Sequence, residues 1–102
     1  MIELVRSNLD AIRELCKQHR VARLYLVGSA ATGEFDAERS DIDFVVVFEP
    51  HEPQGFDDVF FRLLADLESL LHRPVDLIEA HTLRNPYLIA SINRTKRMLY
   101  AA

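Results

Sequence analysis

Cysteine is nearly absent from this 102-residue sequence, in which Cys16 stands alone. A single thiol excludes an internal disulfide framework and a cysteine-rich zinc site, and it fits a reducing, cytoplasmic setting. Long apolar runs are missing too, and no stretch approaches the length that spans a bilayer. The N-terminus lacks the basic region and apolar segment of a secretion signal, carrying Glu3 and Asp10 within an amphipathic pattern instead. A soluble, non-secreted protein is expected. Positive charge is not in excess, since 12 Lys and Arg face 16 Asp and Glu for a formal net charge of −4. A general grip on a nucleic-acid backbone is therefore not expected, while a small anionic substrate held by local groups is allowed. Internal repeats, low-complexity tracts and linkers are also lacking. His19, His51, His72 and His81 have no zinc-motif spacing and read as surface residues at helix ends and in loops.

With 49% hydrophobic and 27% charged side chains, the chain has the composition of one globular domain spanning residues 1–102. From Ile2 to about His19, the residues Ile2, Val5, Leu9, Ile12, Leu15 and Cys16 recur three to four apart, which predicts one helix with an apolar stripe. Cys16 lies on that stripe as a small core residue. Ala22 to Val27 is short and β-prone and stops at Gly28, as a buried strand entering a tight turn would. A one-turn helix over Ser29 to Gly33 and a polar loop to Ser40 follow. Ile42 to Phe48, almost wholly β-branched or aromatic, predicts the central strand. Beyond the turn-rich stretch from Glu49 to Gly55, apolar residues from Phe56 to Leu71 return to helical spacing, and Pro74 closes that helix. Val75 to Ala80 reads as a further strand. Asn85 and Pro86 resemble the cap and first residue of a short helix reaching about Asn93, and Arg97 to Tyr100 suits an edge strand. The fold class is α/β, a two-layer α+β domain with a mixed sheet and helices packed on one face.

The chemistry lies where one strand ends and the next begins. A Gly28-Ser29 turn leading into a helix lets backbone amides and a hydroxyl approach an anion, so this turn can hold a triphosphate tail. Asp41 and Asp43 are two apart, which in a strand directs both to one face, roughly 6.6 Å apart along the chain, where they form a two-carboxylate clamp for a hard cation. Asp76, flanked by Val75 and Leu77, calls for a partner or a metal. If its strand neighbours the Ile42 strand, three aspartates meet. Such a set suits in-line nucleotidyl transfer with two metals, Asp41 and Asp43 holding the one bound to the triphosphate and Asp76 supporting the attacking side as ligand or general base. Taken singly, a Gly-Ser turn, an Asp-x-Asp at a strand start or an Asp at a strand edge is usually structural. It is their spacing together that carries the reading.

The stretches Gly28-Ser29-Ala30-Ala31-Thr32-Gly33 and Ser40-Asp41-Ile42-Asp43, with Asp76 beyond, resemble the signature of polymerase-β-like nucleotidyltransferases. Within that superfamily the resemblance is to the minimal (MNT) group, antitoxins found beside HEPN-domain toxins. It implies nucleotide contacts at Gly28, Ser29, Gly33 and Ser40, and Mg²⁺ ligands and catalytic carboxylates at Asp41, Asp43 and Asp76. It also implies Mg²⁺ as cofactor, ATP as substrate and a tyrosine of a HEPN-type toxin as the acceptor of AMP. Association into homo-oligomers is compatible with the sequence. Thr32 departs from the pattern, because such proteins often carry a basic residue before the second glycine. Arg39, Arg94, Lys96 and Arg97 are the candidates to replace that charge. Once core, loop and metal site are assigned, little chain remains for a second small-molecule pocket, which favours an acceptor brought by a partner. The competing expectation is a non-catalytic antitoxin or scaffold that keeps the fold and binds a partner.

Overall fold

Four strands form one mixed sheet in the order β3-β2-β1-β4 in the computed structural model, which describes residues 1–34, 36, 38, 40–50 and 56–102, the side chains of Phe56, Asp57 and Asp58 excepted. The strands are β1 (Val21–Val27), β2 (Ile42–Phe48), β3 (Val75–Glu79) and β4 (Arg97–Ala101). β1 pairs antiparallel with both β2 and β4, while β2 and β3 run parallel. The helices are α1 (Glu3–Ser7), α2 (Leu9–Gln18), α3 (Ser29–Thr32), α4 (Phe56–Leu71) and α5 (Pro86–Thr95), with a 3₁₀ turn over Ala80–Thr82. Among the described residues, no helix is long and apolar enough to cross a membrane.

Alternation along the strands sorts side chains into two layers. Leu24 and Leu26 of β1, Ile42, Phe44 and Val46 of β2, and Leu77 of β3 are buried in the main core with α1, α2 and α4. From α4, the residues Leu63, Leu67 and Leu71 reach that core at four-residue spacing, as one helical stripe should. On the opposite face Val27 and Val45 pack with Ile92 of α5, bordered by Tyr25, Ile78 and Leu83. Thus α5 partly covers the face whose alternating positions also include Asp43 and Asp76. Its start is capped by Asn85, whose side-chain oxygen accepts from the amides of Tyr87 at 2.9 Å and Leu88 at 3.3 Å.

Several local expectations need correction. The single N-terminal helix is divided at Asn8 (φ −107°, ψ 13°), whose Nδ2 donates to the Leu4 carbonyl at 2.8 Å. This side chain offers the backbone an alternative to continued helix, and the apolar period runs through the break because both segments cover the same sheet face. Helix α4 keeps its expected bounds, Phe56–Leu71, and His72, with a left-handed φ of 54°, reinforces the stop ahead of Pro74. His19 is not a surface residue: only 12% of its side chain is exposed, and Nε2 lies 2.7 Å from Asp66 Oδ2 on α4. A polar residue at the end of an amphipathic helix was bound to look solvent-facing without its partner from another helix. His72 and His81 are exposed, while His51 and most of the predicted turn before α4 lie outside the described residues.

Cys16 is fully buried, and burial pushes its thiol up to about 12. The thiolate fraction near neutrality is therefore negligible. A thiol reagent at pH 8 should leave the native protein unlabelled and modify it stoichiometrically in denaturant. Rapid labelling of the folded protein, followed by mass spectrometry, would contradict this packing.

Candidate active site

The end of β1 and the starts of β2 and β3 meet at one edge of the sheet because β1 is antiparallel to β2 and β2 parallel to β3. Asp43 is the register partner of Val27 on one side and of Asp76 on the other. Cross-strand partners point to the same face, so the Asp43 and Asp76 side chains stand beside each other on strands about 4.8 Å apart. Asp41 lies two residues before Asp43, just outside the strand, and is exposed.

Gly28 follows Val27 directly and turns the chain out of the sheet with φ 68° and ψ −154°. That conformation belongs to glycine, since a Cβ makes it costly for other residues. A second reason is steric: a Cβ at Gly28 would lie 2.6 Å from Asp43 Oδ2. The glycine thus provides a cradle for the carboxylate. Ser29 opens α3, and the amides of Ala31 and Thr32 return to the Gly28 carbonyl at 3.1 and 3.2 Å. Gly33 closes that turn in the left-handed region with φ 90°. Its conformation explains its presence, and among the described residues nothing beyond its chain neighbours lies within 4 Å of a Cβ placed there.

Burial raises the Asp43 carboxyl above the ordinary carboxylate range, and the charges of Asp76 and then Asp41 raise it further. The three aspartates are therefore within electrostatic reach of one another. Among the described residues, however, no three acidic, imidazole or thiol groups close into one metal-binding cluster. The two observations concern different ranges: charge interaction extends over several ångströms, whereas a shared coordination sphere needs oxygens about 2.0–2.1 Å from one Mg²⁺. As a donor set, three carboxylates with hard oxygens fit magnesium, and a divalent cation would relieve the repulsion on Asp43.

Of the residues singled out in the sequence, Gly28, Asp41, Asp43 and Asp76 come together here, with Ser29 at the adjoining turn. Ser40 is engaged within its loop: its hydroxyl accepts from the Asp36 amide at 3.1 Å, and its own amide donates to the Asp36 carbonyl at 2.8 Å. Thr32 is exposed, and its hydroxyl donates to the Ser29 carbonyl at 3.4 Å. Arg39 lies outside the described residues. Lys96 is placed over the Tyr25 ring, its Nζ 4.7 Å from the centroid, on the aspartate-bearing face. Its position had no sequence signal, because it depends on where α5 ends relative to β1.

Residues 9–99 match the family model described as nucleotidyltransferase domain. A candidate protein adenylyltransferase from Methanocaldococcus jannaschii is 35% identical over 94 residues, covering 84% of this chain and 92% of that protein. The chain belongs to the nucleotidyltransferase domain family. A solved structure described as a candidate minimal nucleotidyltransferase is 31% identical with a TM-score of 0.76, covering 94% of this chain and 95% of the other. The same fold occurs in a toxin–antitoxin complex with AMP-PNP, at 23% identity and a TM-score of 0.72 over 93% of this chain and 74% of that one. It occurs again in the complex of a tri-AMPylated Shewanella oneidensis HEPN toxin with an MNT antitoxin, at 21% identity and a TM-score of 0.65 over 95% and 72% of the respective chains. The fold is thus that of the MNT antitoxins solved with HEPN toxins.

Proposed function

We propose that this protein is a Mg²⁺-dependent nucleotidyltransferase that moves AMP from ATP to a hydroxyl on a protein partner, acting in the cytoplasm as the antitoxin of a HEPN-type toxin. The observation that carries the reading is the register of Asp43 beside Asp76, with the Asp43 carboxylate lying against the turn at Gly28. Adenylyl chemistry and a toxin acceptor are supported by the relatives: one bears the name of a protein adenylyltransferase, and one solved complex contains an AMPylated HEPN toxin.

In this reading Asp41, Asp43 and Asp76 would hold the magnesium, which would supply charge neutralisation along the triphosphate. Gly28 and Ser29 orient the phosphates leaving the α-phosphorus, with Gly33 ending the turn and Ser40 setting the approach of Asp41. Asp76 faces the acceptor side and takes the hydroxyl proton as the acceptor oxygen bonds to the α-phosphorus and pyrophosphate departs. The exposed Thr32 favours a second reading, a non-catalytic antitoxin that binds the same partner. Purified protein incubated with a HEPN-type toxin, Mg²⁺ and labelled ATP separates the two. Label on the toxin with wild type, and none with Asp76→Asn, is expected; a stable complex without label under any triphosphate would establish the non-catalytic reading.

A further inference from the structure

Beyond the aspartates, the same sheet face continues into a cavity of about 260 Å³. Tyr25, Val45 and Val47 line it from the sheet, Ile92 and Asn93 from α5, and Lys96 from the turn into β4. Val45 lies two residues past Asp43 on β2, so the cavity begins roughly 6.6 Å from the carboxylate position. Lys96 immediately precedes Arg97, the register partner of Leu26, which brings it onto the face between the levels of Tyr25 and Val27. Its ammonium stacks on Tyr25 and donates to Asn93 Oδ1 at 3.1 Å.

Along this face the order is therefore carboxylates, Lys96, then an apolar slot bordered by the Asn93 carboxamide and the Arg23 guanidinium. A nucleoside triphosphate has the matching order: phosphates with their metal, the α-phosphate and ribose, then a flat base with a hydrogen-bonding edge. The volume lies below the usual range of about 300–1,000 Å³ for pockets enclosing a whole drug-sized ligand, which suits the base alone. We propose that the cavity takes the adenine base of the triphosphate, with Lys96 beside the α-phosphate and ribose and Asn93 as the specificity-determining residue. A carboxamide presents a donor and an acceptor side by side, complementary to the adjacent acceptor and donor on adenine. Arg23 closes the far end of the cavity. The assignment rests on the nucleotidyltransferase reading above, and it adds where the nucleoside lies and what selects it.

The test uses isotope-labelled protein with Mg²⁺, titrated in parallel with ATP and with inorganic tripolyphosphate, which has no base. ATP should shift the amide resonances of Tyr25, Val45, Ile92 and Asn93 together with those around Gly28 and Asp43, whereas tripolyphosphate should shift only the second group. Asn93 is exposed on α5, so Asn93→Leu should fold normally, and it should weaken ATP about tenfold and tripolyphosphate much less, through Lys96 alone. Equal footprints for the two ligands, with the cavity amides unmoved, would overturn the base site while leaving the phosphate site intact. Failure of both ligands to bind would overturn this assignment and the nucleotidyltransferase reading together.

Discussion

Replacing Gly28 by alanine should reduce nucleotide transfer at least about a hundredfold, the scale on which an ångström of misplacement in a catalytic group is felt. Two costs arise at once. The backbone at φ 68° is unfavourable for any residue with a Cβ, and that Cβ would stand 2.6 Å from Asp43 Oδ2. The carboxylate must move, and with it the proposed metal site. A stability loss of about 1–2 kcal/mol should accompany the change, measurable by denaturant unfolding. The two costs separate in a double-mutant cycle. In an Asp43→Ala background the side-chain clash is gone, and Gly28→Ala should cost only the backbone part, so the combined loss falls short of the sum. Wild-type transfer rates for Gly28→Ala, or strictly additive stability losses, would show that Gly28 is a turn residue and no cradle.

Asp43→Asn should lower transfer by about a thousandfold, within the range for loss of a positioned acid–base or electrostatic group, while making the metal-free protein more stable at neutral pH. The second effect follows from the raised carboxyl of Asp43, caused by burial first and then by Asp76 and Asp41. A carboxyl whose folded pKa exceeds its unfolded value binds its proton more tightly in the native state. Stability then falls as pH rises from the carboxyl's ordinary value of 3.8 through the raised value, and the cost persists above it. Asparagine carries no such charge. Its advantage should be present at pH 7 and vanish as the pH falls below about 4. The carboxylate is partly solvated, so the gain is small, below about 1 kcal/mol, or a few degrees in Tm. Thermal melts of both proteins at pH 7 and at pH 3.5, in chelator, provide the check. A destabilised asparagine variant at pH 7 would mean that hydrogen bonds to the charged form outweigh the repulsion.

In the proposed reading the two effects have opposite signs because the three aspartates serve a cation rather than the fold. Replacing Asp43 removes repulsion that the folded chain otherwise carries, together with the charge the chemistry needs. Adding Mg²⁺ should reverse the order of stabilities, since a ligand that binds only the native wild-type site raises its stability by mass action.

Much of the framework was legible in the residues themselves. β2 was recognisable from Ile42 to Phe48 because a run of β-branched and aromatic residues has few other uses, and α4 from Phe56 to Leu71 because leucine recurs with a helical period. The Asn85-Pro86 pair placed the start of α5 through cap chemistry that acts within three residues. Less legible features depended on contacts between segments distant in the chain. The break at Asn8 arises where a local side-chain bond competes with helix, and the apolar period continues across it. His19 looked solvent-facing until Asp66, 47 residues away, came within hydrogen-bonding distance.

By itself the sequence determined which chemistry is available: two carboxylates at strand spacing, a third in a later strand, and a Gly-Ser turn before a short helix. Those are consequences of residue type and of the period of an extended chain, both of which act locally. Tertiary structure alone decided that β3 lies parallel beside β2 with Asp76 in register with Asp43, and that Gly28 leaves room for the Asp43 carboxylate. It also decided that α5 crosses the aspartate-bearing face and delivers Asn93 and Lys96 to one cavity. Strand order and helix placement are set by which apolar faces bury one another, and no local pattern encodes that choice.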